Sequence, residues 1–176
     1  MEDYYTVAPR YGTNEDLAHL FEEAHKRDMH VILDLVPGHT AVTHKWFKES
    51  MKAKKNEYTD RYVWTDCIWE EPQGMNCIRG ISDRDGSCAV NFFSHQPALN
   101  YGFYTQERDW QQPQDAPGPQ ATLEAMKDVM RFWLTMGCDG FRVDMAGSLV
   151  KNDPDSKGTI KLWQNVREFL NAEFPK

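Results

Sequence analysis

The chain has 176 residues, 40% of them hydrophobic, with 27 acidic residues against 20 basic and a formal net charge of −7. That composition is ordinary for a globular protein and leaves room for a substantial core. The acidic balance argues against nucleic acid as the main partner. The one basic cluster, Lys52-Ala53-Lys54-Lys55, reads as a solvated helix face. No apolar run reaches the roughly 18 residues that a membrane-spanning helix needs, so no membrane partner is expected.

In chain order, Thr13 or Asn14 can cap a helix whose apolar positions Leu17, Leu20, Phe21 and Ala24 recur at helical spacing. Glu15 and Asp16 open it and Lys26-Arg27 close it, which suits the helix dipole. A strand follows over 30–36, His30-Val31-Ile32-Leu33-Asp34-Leu35-Val36, in the form of a buried parallel strand. Asp34 lies near its end, ahead of Pro37-Gly38-His39-Thr40.

Helix-then-strand is the rhythm of α/β barrels and doubly wound sheets. From about Thr40 to Pro119 it is lost. This stretch is rich in Trp, Pro, Gly and Asn, with a turn over Ser82–Ser87 and a short strand candidate at Cys88–Phe93. So long an excursion inside a compact fold is usually functional. Three of the four cysteines, Cys67, Cys77 and Cys88, fall in it. They form no CxxC pair, and their spacing admits a disulfide without naming its partners. Cys138, between a helix and a strand, reads as a buried free thiol.

Regular structure returns with a helix over about 120–136, striped by Leu123, Met126, Met130, Trp133 and Leu134 and ended by Gly137. The strand Gly140-Phe141-Arg142-Val143-Asp144-Met145 alternates with period two, placing Arg142 and Asp144 on one face. A cation beside a carboxylate favours its charged form and fixes its orientation. Such a carboxylate at a strand end is a candidate nucleophile or electrostatic stabiliser. A plain ion pair closing the strand fits these residues alone equally well. A final helix is expected to turn Ile160, Trp163, Val166, Leu170 and Phe174 inward.

Taken together, the segments resemble the alpha-amylase superfamily, glycoside hydrolase family thirteen. Asp34 to His39 is similar to its first signature region and Phe141-Arg142-Val143-Asp144 to its second, at the ends of the third and fourth barrel strands. Gln96-Pro97-Ala98-Leu99-Asn100 resembles the short motif late in the excursion between them, and Asp3–Thr13 the loop before the second barrel helix. The resemblance covers essentially the whole chain.

What it implies is an α/β fold forming part of a (β/α)8 TIM barrel, around strands 3 and 4, with an inserted irregular, β-containing subdomain. Residues 1–39 and 119–176 would be barrel segments and 40–118 the insert, overhanging the active site. Asp144 would be the nucleophile of a retaining glycoside hydrolase or transglycosylase, oriented by Arg142. Asp34 would brace Arg142, His39 would hydrogen-bond the sugar, and Asn100 would belong to the substrate-binding set. The substrate would be an α-linked oligosaccharide.

The family's acid/base Glu ends the fifth strand, which this chain does not reach. Glu168 and Glu173, on a helix, are poor substitutes, so the rest of the barrel is expected as the chain's partner. The absence of a leader at Glu2-Asp3-Tyr4-Tyr5 is uninformative for the same reason, since upstream strands are expected too. No cofactor is expected, because Gly38 and Ala98 stand where many relatives carry calcium ligands. Gly147 and Ser148 replace a Lys-His pair of starch-degrading members, and Gln96-Pro97 is closer in form to exo-acting glucosidases. A non-catalytic sugar-binding subunit on the same scaffold is the alternative, and a doubly wound protein with coincidental motifs a third.

Overall fold

The computed structural model describes residues 1–72 and 74–175. Among them, helices α1 (Asn14–His25), α2 (Lys45–Ser50), α3 (Pro117–Thr135) and α4 (Lys157–Glu173) accompany strands β1 (Ile32–Leu35), β2 (Cys77–Ile78), β3 (Cys88–Ala89) and β4 (Gly140–Val143). β1 and β4 pair in parallel, with Asp34 opposite Arg142 and Leu35 opposite Val143. β2 and β3 form a small antiparallel pair within the excursion.

The ends of these elements follow from local chemistry. Thr13 is the N-cap of α1, and with Asp16 it forms a reciprocal capping box. Gly137 takes a φ of +115° where the chain leaves α3, a conformation that suits a residue without a Cβ. β4 stops at Val143, earlier than the expected 145, because Met145 adopts the left-handed region at φ +49° and turns the chain out of the sheet. α4 has no cap from Ser156. Instead the Asp153 carboxylate accepts from the backbone N–H groups of Thr159 at 2.8 Å and Gly158 at 3.2 Å.

One continuous core joins both parts of the chain. Phe21, Leu35, Leu123, Met126, Met130 and Trp133 pack with Trp46, Phe47, Tyr62, Leu99 and Tyr101 of the excursion. Burying each such side chain contributes roughly 1.5–3 kcal/mol. Val63, Ala89, Ala98 and Phe103 make a second, smaller cluster inside the excursion.

Helices α1, α3 and α4 cover the face that carries Leu33, Leu35, Phe141 and Val143, and Asp34 and Arg142 lie on the opposite face. Several expectations are corrected. Leu20 and Ile160 are each 53% exposed. In α4, Val166 is buried and Trp163 and Leu170 pack partly buried against the core as expected, with Leu162 buried in place of Ile160. The Lys52–Lys55 run lies beyond the end of α2, so it is no helix face. All four cysteines are free thiols. Cys138 is buried as expected, and burial raises its pKa.

Candidate active site

The register of β1 against β4 sets Asp34 beside Arg142, and Asp144 follows β4 with its N–H donating to Leu35 O at 2.8 Å. The Arg142 guanidinium lies 3.3 Å from Asp144 Oδ1 and 3.7 Å from Asp34 Oδ1. The structure thus brings all three together, though as ion pairs, the second beyond hydrogen-bond length. What they supply is orientation, since one guanidinium facing two carboxylates restricts both.

The loop carrying His39 is pinned carbonyl by carbonyl. The Tyr4 hydroxyl lies 2.8 Å from Val36 O and 3.0 Å from His39 O, close enough to donate to either. Tyr101 donates to Pro37 O at 2.9 Å, and Leu99 N–H to Gly38 O at 3.1 Å. His39 itself is buried, and that burial holds its imidazole below the ordinary histidine pKa, against the opposing charge of Asp144. It is therefore a neutral hydrogen-bonding group near neutral pH.

Asn100 is not brought into this cluster. Its Nδ2 donates to Asp60 O at 3.0 Å, with Gln112 Oε1 at 3.3 Å, and its Oδ1 accepts from Gly102 N at 3.0 Å. Those bonds use its carboxamide to tie loops of the excursion together. Glu173 is also committed elsewhere, to Arg131 at 2.6 and 2.8 Å.

Two residues that the sequence did not single out reach the site. Asn91 Nδ2 lies 3.3 Å from His39 Nδ1 and 3.7 Å from Met145 Sδ. Its Oδ1 lies 3.4 Å from Lys151 Nζ and 3.3 Å from Ser148 Oγ. Lys151 also donates to Ser148 O at 2.5 Å, and desolvation of its ammonium lowers its pKa from 10.5 to about 8. The only signal available for Lys151 was its place seven residues after Asp144; Asn91 had none.

The residues around Gly38 do not fit a bound cation. Gly38 and Ala98 offer no side-chain oxygen, and a Cβ at Gly38 would lie 2.7 Å from Asn91 Nδ2, so the carboxamide fills that space. The Asn91 oxygen faces an ammonium, whose charge would repel a metal ion. Among the described residues, no group of three or more His, Cys, Asp or Glu side chains could hold a metal. No described helix is long and apolar enough to cross a membrane.

Known proteins resemble this chain along almost all of its length. The family model described as alpha amylase, catalytic domain, matches residues 1–172. The chain is 34% identical to the trehalose synthase/amylase TreS of Mycobacterium tuberculosis, over 99% of this chain and 28% of the relative. It is 33% identical to an oligo-1,6-glucosidase of Bacillus sp., over 86% of this chain and 28% of that one.

Among solved structures, the alpha-amylase from H. orenii superposes with a TM-score of 0.70 at 29% identity, covering 99% of this chain and 33% of its own. Trehalose-6-phosphate hydrolase of Bacillus licheniformis superposes with a TM-score of 0.68 at 30% identity, covering 98% and 31%. The chain thus spans less than a third of the length of these curated relatives. β1 and β4 are accordingly neighbouring strands of a (β/α)8 barrel. With the family model matching almost the whole of this chain, the chain belongs to the alpha-amylase family and carries part of its catalytic domain.

Proposed function

We propose that the protein carrying this chain is a retaining α-glucoside-active glycosidase or transglycosylase, with Asp144 as its nucleophile. The observation that carries the reading is the Asp34–Arg142–Asp144 cluster, at the end of two parallel strands of a barrel, where such folds place their chemistry. Asp144 attacks the anomeric carbon while Arg142 holds its carboxylate in line. Asp34 braces Arg142 from the neighbouring strand. His39, neutral and pinned by its loop, donates to a sugar hydroxyl in the cleaved subsite.

A retaining mechanism also needs a general acid about 5–5.5 Å from the nucleophile. The described carboxylates of α4 do not suit that role, so the acid comes from another part of the barrel. Small α-linked substrates are favoured, because the similar proteins include an oligo-1,6-glucosidase and an alpha-glucosidase. The form of Gln96-Pro97 points the same way. No calcium is needed beside the site, since the Lys151 ammonium supplies the positive charge there.

The test is turnover of 4-nitrophenyl α-glucoside and maltotriose by the full-length protein, wild type beside Asp144→Asn, with the product anomer followed by proton NMR. The reading expects retention of configuration and a loss in the variant of roughly three orders of magnitude or more. Sugar binding without turnover in the wild type would instead identify a non-catalytic sugar-binding subunit.

A further inference from the structure

We propose that Lys151 and Asn91 are positioning residues that fix the tautomer of His39, so that its Nε2 carries the proton presented to substrate. The inference deepens the proposed function and rests on it for the role of that proton. It follows from which groups can only donate. A lysine ammonium has three donors and no acceptor. Lys151 Nζ lies 3.4 Å from one end of the Asn91 carboxamide, and that end must therefore be the oxygen. The other end is then the NH2 group, and it lies 3.3 Å from His39 Nδ1. An NH2 group only donates, so Nδ1 must accept. A neutral imidazole whose Nδ1 accepts has its hydrogen on Nε2.

The surroundings keep the chain of donors in place. The Asn91 carboxamide is wedged over Gly38, where a Cβ would stand 2.7 Å from Nδ2. Its backbone is tied to the motif beside it through Asn91 N–H to Gln96 O at 3.0 Å. The Ser148 hydroxyl, with a single hydrogen, lies 2.9 Å from Met145 O and 3.3 Å from Asn91 Oδ1, and it can donate to either without reversing the carboxamide. The Lys151 ammonium is anchored by Ser148 O at 2.5 Å. His39 is buried and kept neutral, so a tautomer is the variable that Asn91 controls. Asn91 belongs to the excursion while His39 and Lys151 follow β1 and β4, so the relay also couples the insert to the strand ends.

The experiment labels the full-length protein with 15N-histidine and reads the His39 ring nitrogens in long-range 1H–15N spectra, assigned by their loss in His39→Gln. The wild type is expected in the Nε2–H form. Asn91→Asp places an acceptor at Nδ1 and is expected to move the proton there, lowering kcat/KM for an α-glucoside about ten-fold. Lys151→Met removes the group that orients Asn91 and is expected to give a mixture of tautomers, whereas Lys151→Arg, still a pure donor, restores the Nε2–H form. A wild-type His39 protonated at Nδ1, or a tautomer unchanged in both Asn91→Asp and Lys151→Met, would overturn the proposal. The tautomer is read without substrate, so it is judged separately from turnover.

Discussion

His44 gives a stability prediction that can be worked through in numbers. It is 4% exposed and packs edge-on against the Tyr4 and Trp46 rings. Its Nδ1 accepts the Trp46 N–H at 3.0 Å, which makes it the N-cap of α2. Burial lowers its pKa from 6.5 to about 4, with Asp3 partly opposing. The folded chain therefore binds a proton less readily than the unfolded one. The stability contributed is fully present above pH 6.5 and is lost as pH falls towards 4. Between pH 7 and pH 5 the two titration curves differ by about 2 kcal/mol.

Asn at this position keeps a capping oxygen but does not titrate. Urea denaturation followed by tryptophan fluorescence, at pH 7 and pH 5, should show the wild type losing about 2 kcal/mol more than His44→Asn. The variant should be somewhat less stable at pH 7, having lost the ring contacts. Equal losses in the two proteins between pH 7 and pH 5 would refute the account of His44 as a buried neutral cap.

Three further predictions follow from single contacts. Lys151, with its pKa lowered to about 8, loses its proton in the folded state before the unfolded chain does, so stability should rise from pH 8 towards 10 by at most about 1.4 kcal/mol per unit. Lys151→Met should abolish that rise in denaturation curves, and a slope that persists in the variant would assign it elsewhere. Gly38→Ala places a methyl 2.7 Å from Asn91 Nδ2, so it should displace the carboxamide and lower kcat/KM about ten-fold while circular dichroism stays unchanged. Full activity in that variant would show that Asn91 is free to move aside. Asp153→Ala removes the acceptor for Thr159 and Gly158 N–H and should cost about 1 kcal/mol of stability in urea titration; no change would mean that the cap is replaced by solvent.

The candidate site residues were legible because strand period fixes which side chains share a face. Arg142 and Asp144 follow from alternation alone, and the parallel register then places Asp34 across from Arg142. The helix stripes were readable apart from single positions at their edges. An apolar run wider than one face leaves the packing partner to choose, and Leu20 and Ile160 stay exposed while Phe21 and Leu162 are buried. The bonds of Asn100 were not legible, because a motif fixes a backbone position, whereas the direction of its carboxamide is decided by Asp60, Gln112 and Gly102. Asn91, Tyr4 and Tyr101 act through contacts across 32 or more residues of sequence, and no local pattern encodes those. Helix α2 was missed because its six residues are too few to show a period, and a buried histidine caps it.

The central claim is that Asp144 forms a covalent bond with the sugar. The most direct measurement incubates the full-length protein with 5-fluoro-α-D-glucosyl fluoride and maps the modified peptide by mass spectrometry. Fluoride leaves without needing the general acid, C1 bonds to a carboxylate oxygen, and the ring fluorine slows release of the resulting ester. The account predicts one glucosyl ester, on the peptide containing Asp144, and none in Asp144→Asn. An ester on a different carboxylate, or steady turnover of α-glucosides by Asp144→Asn, would contradict it.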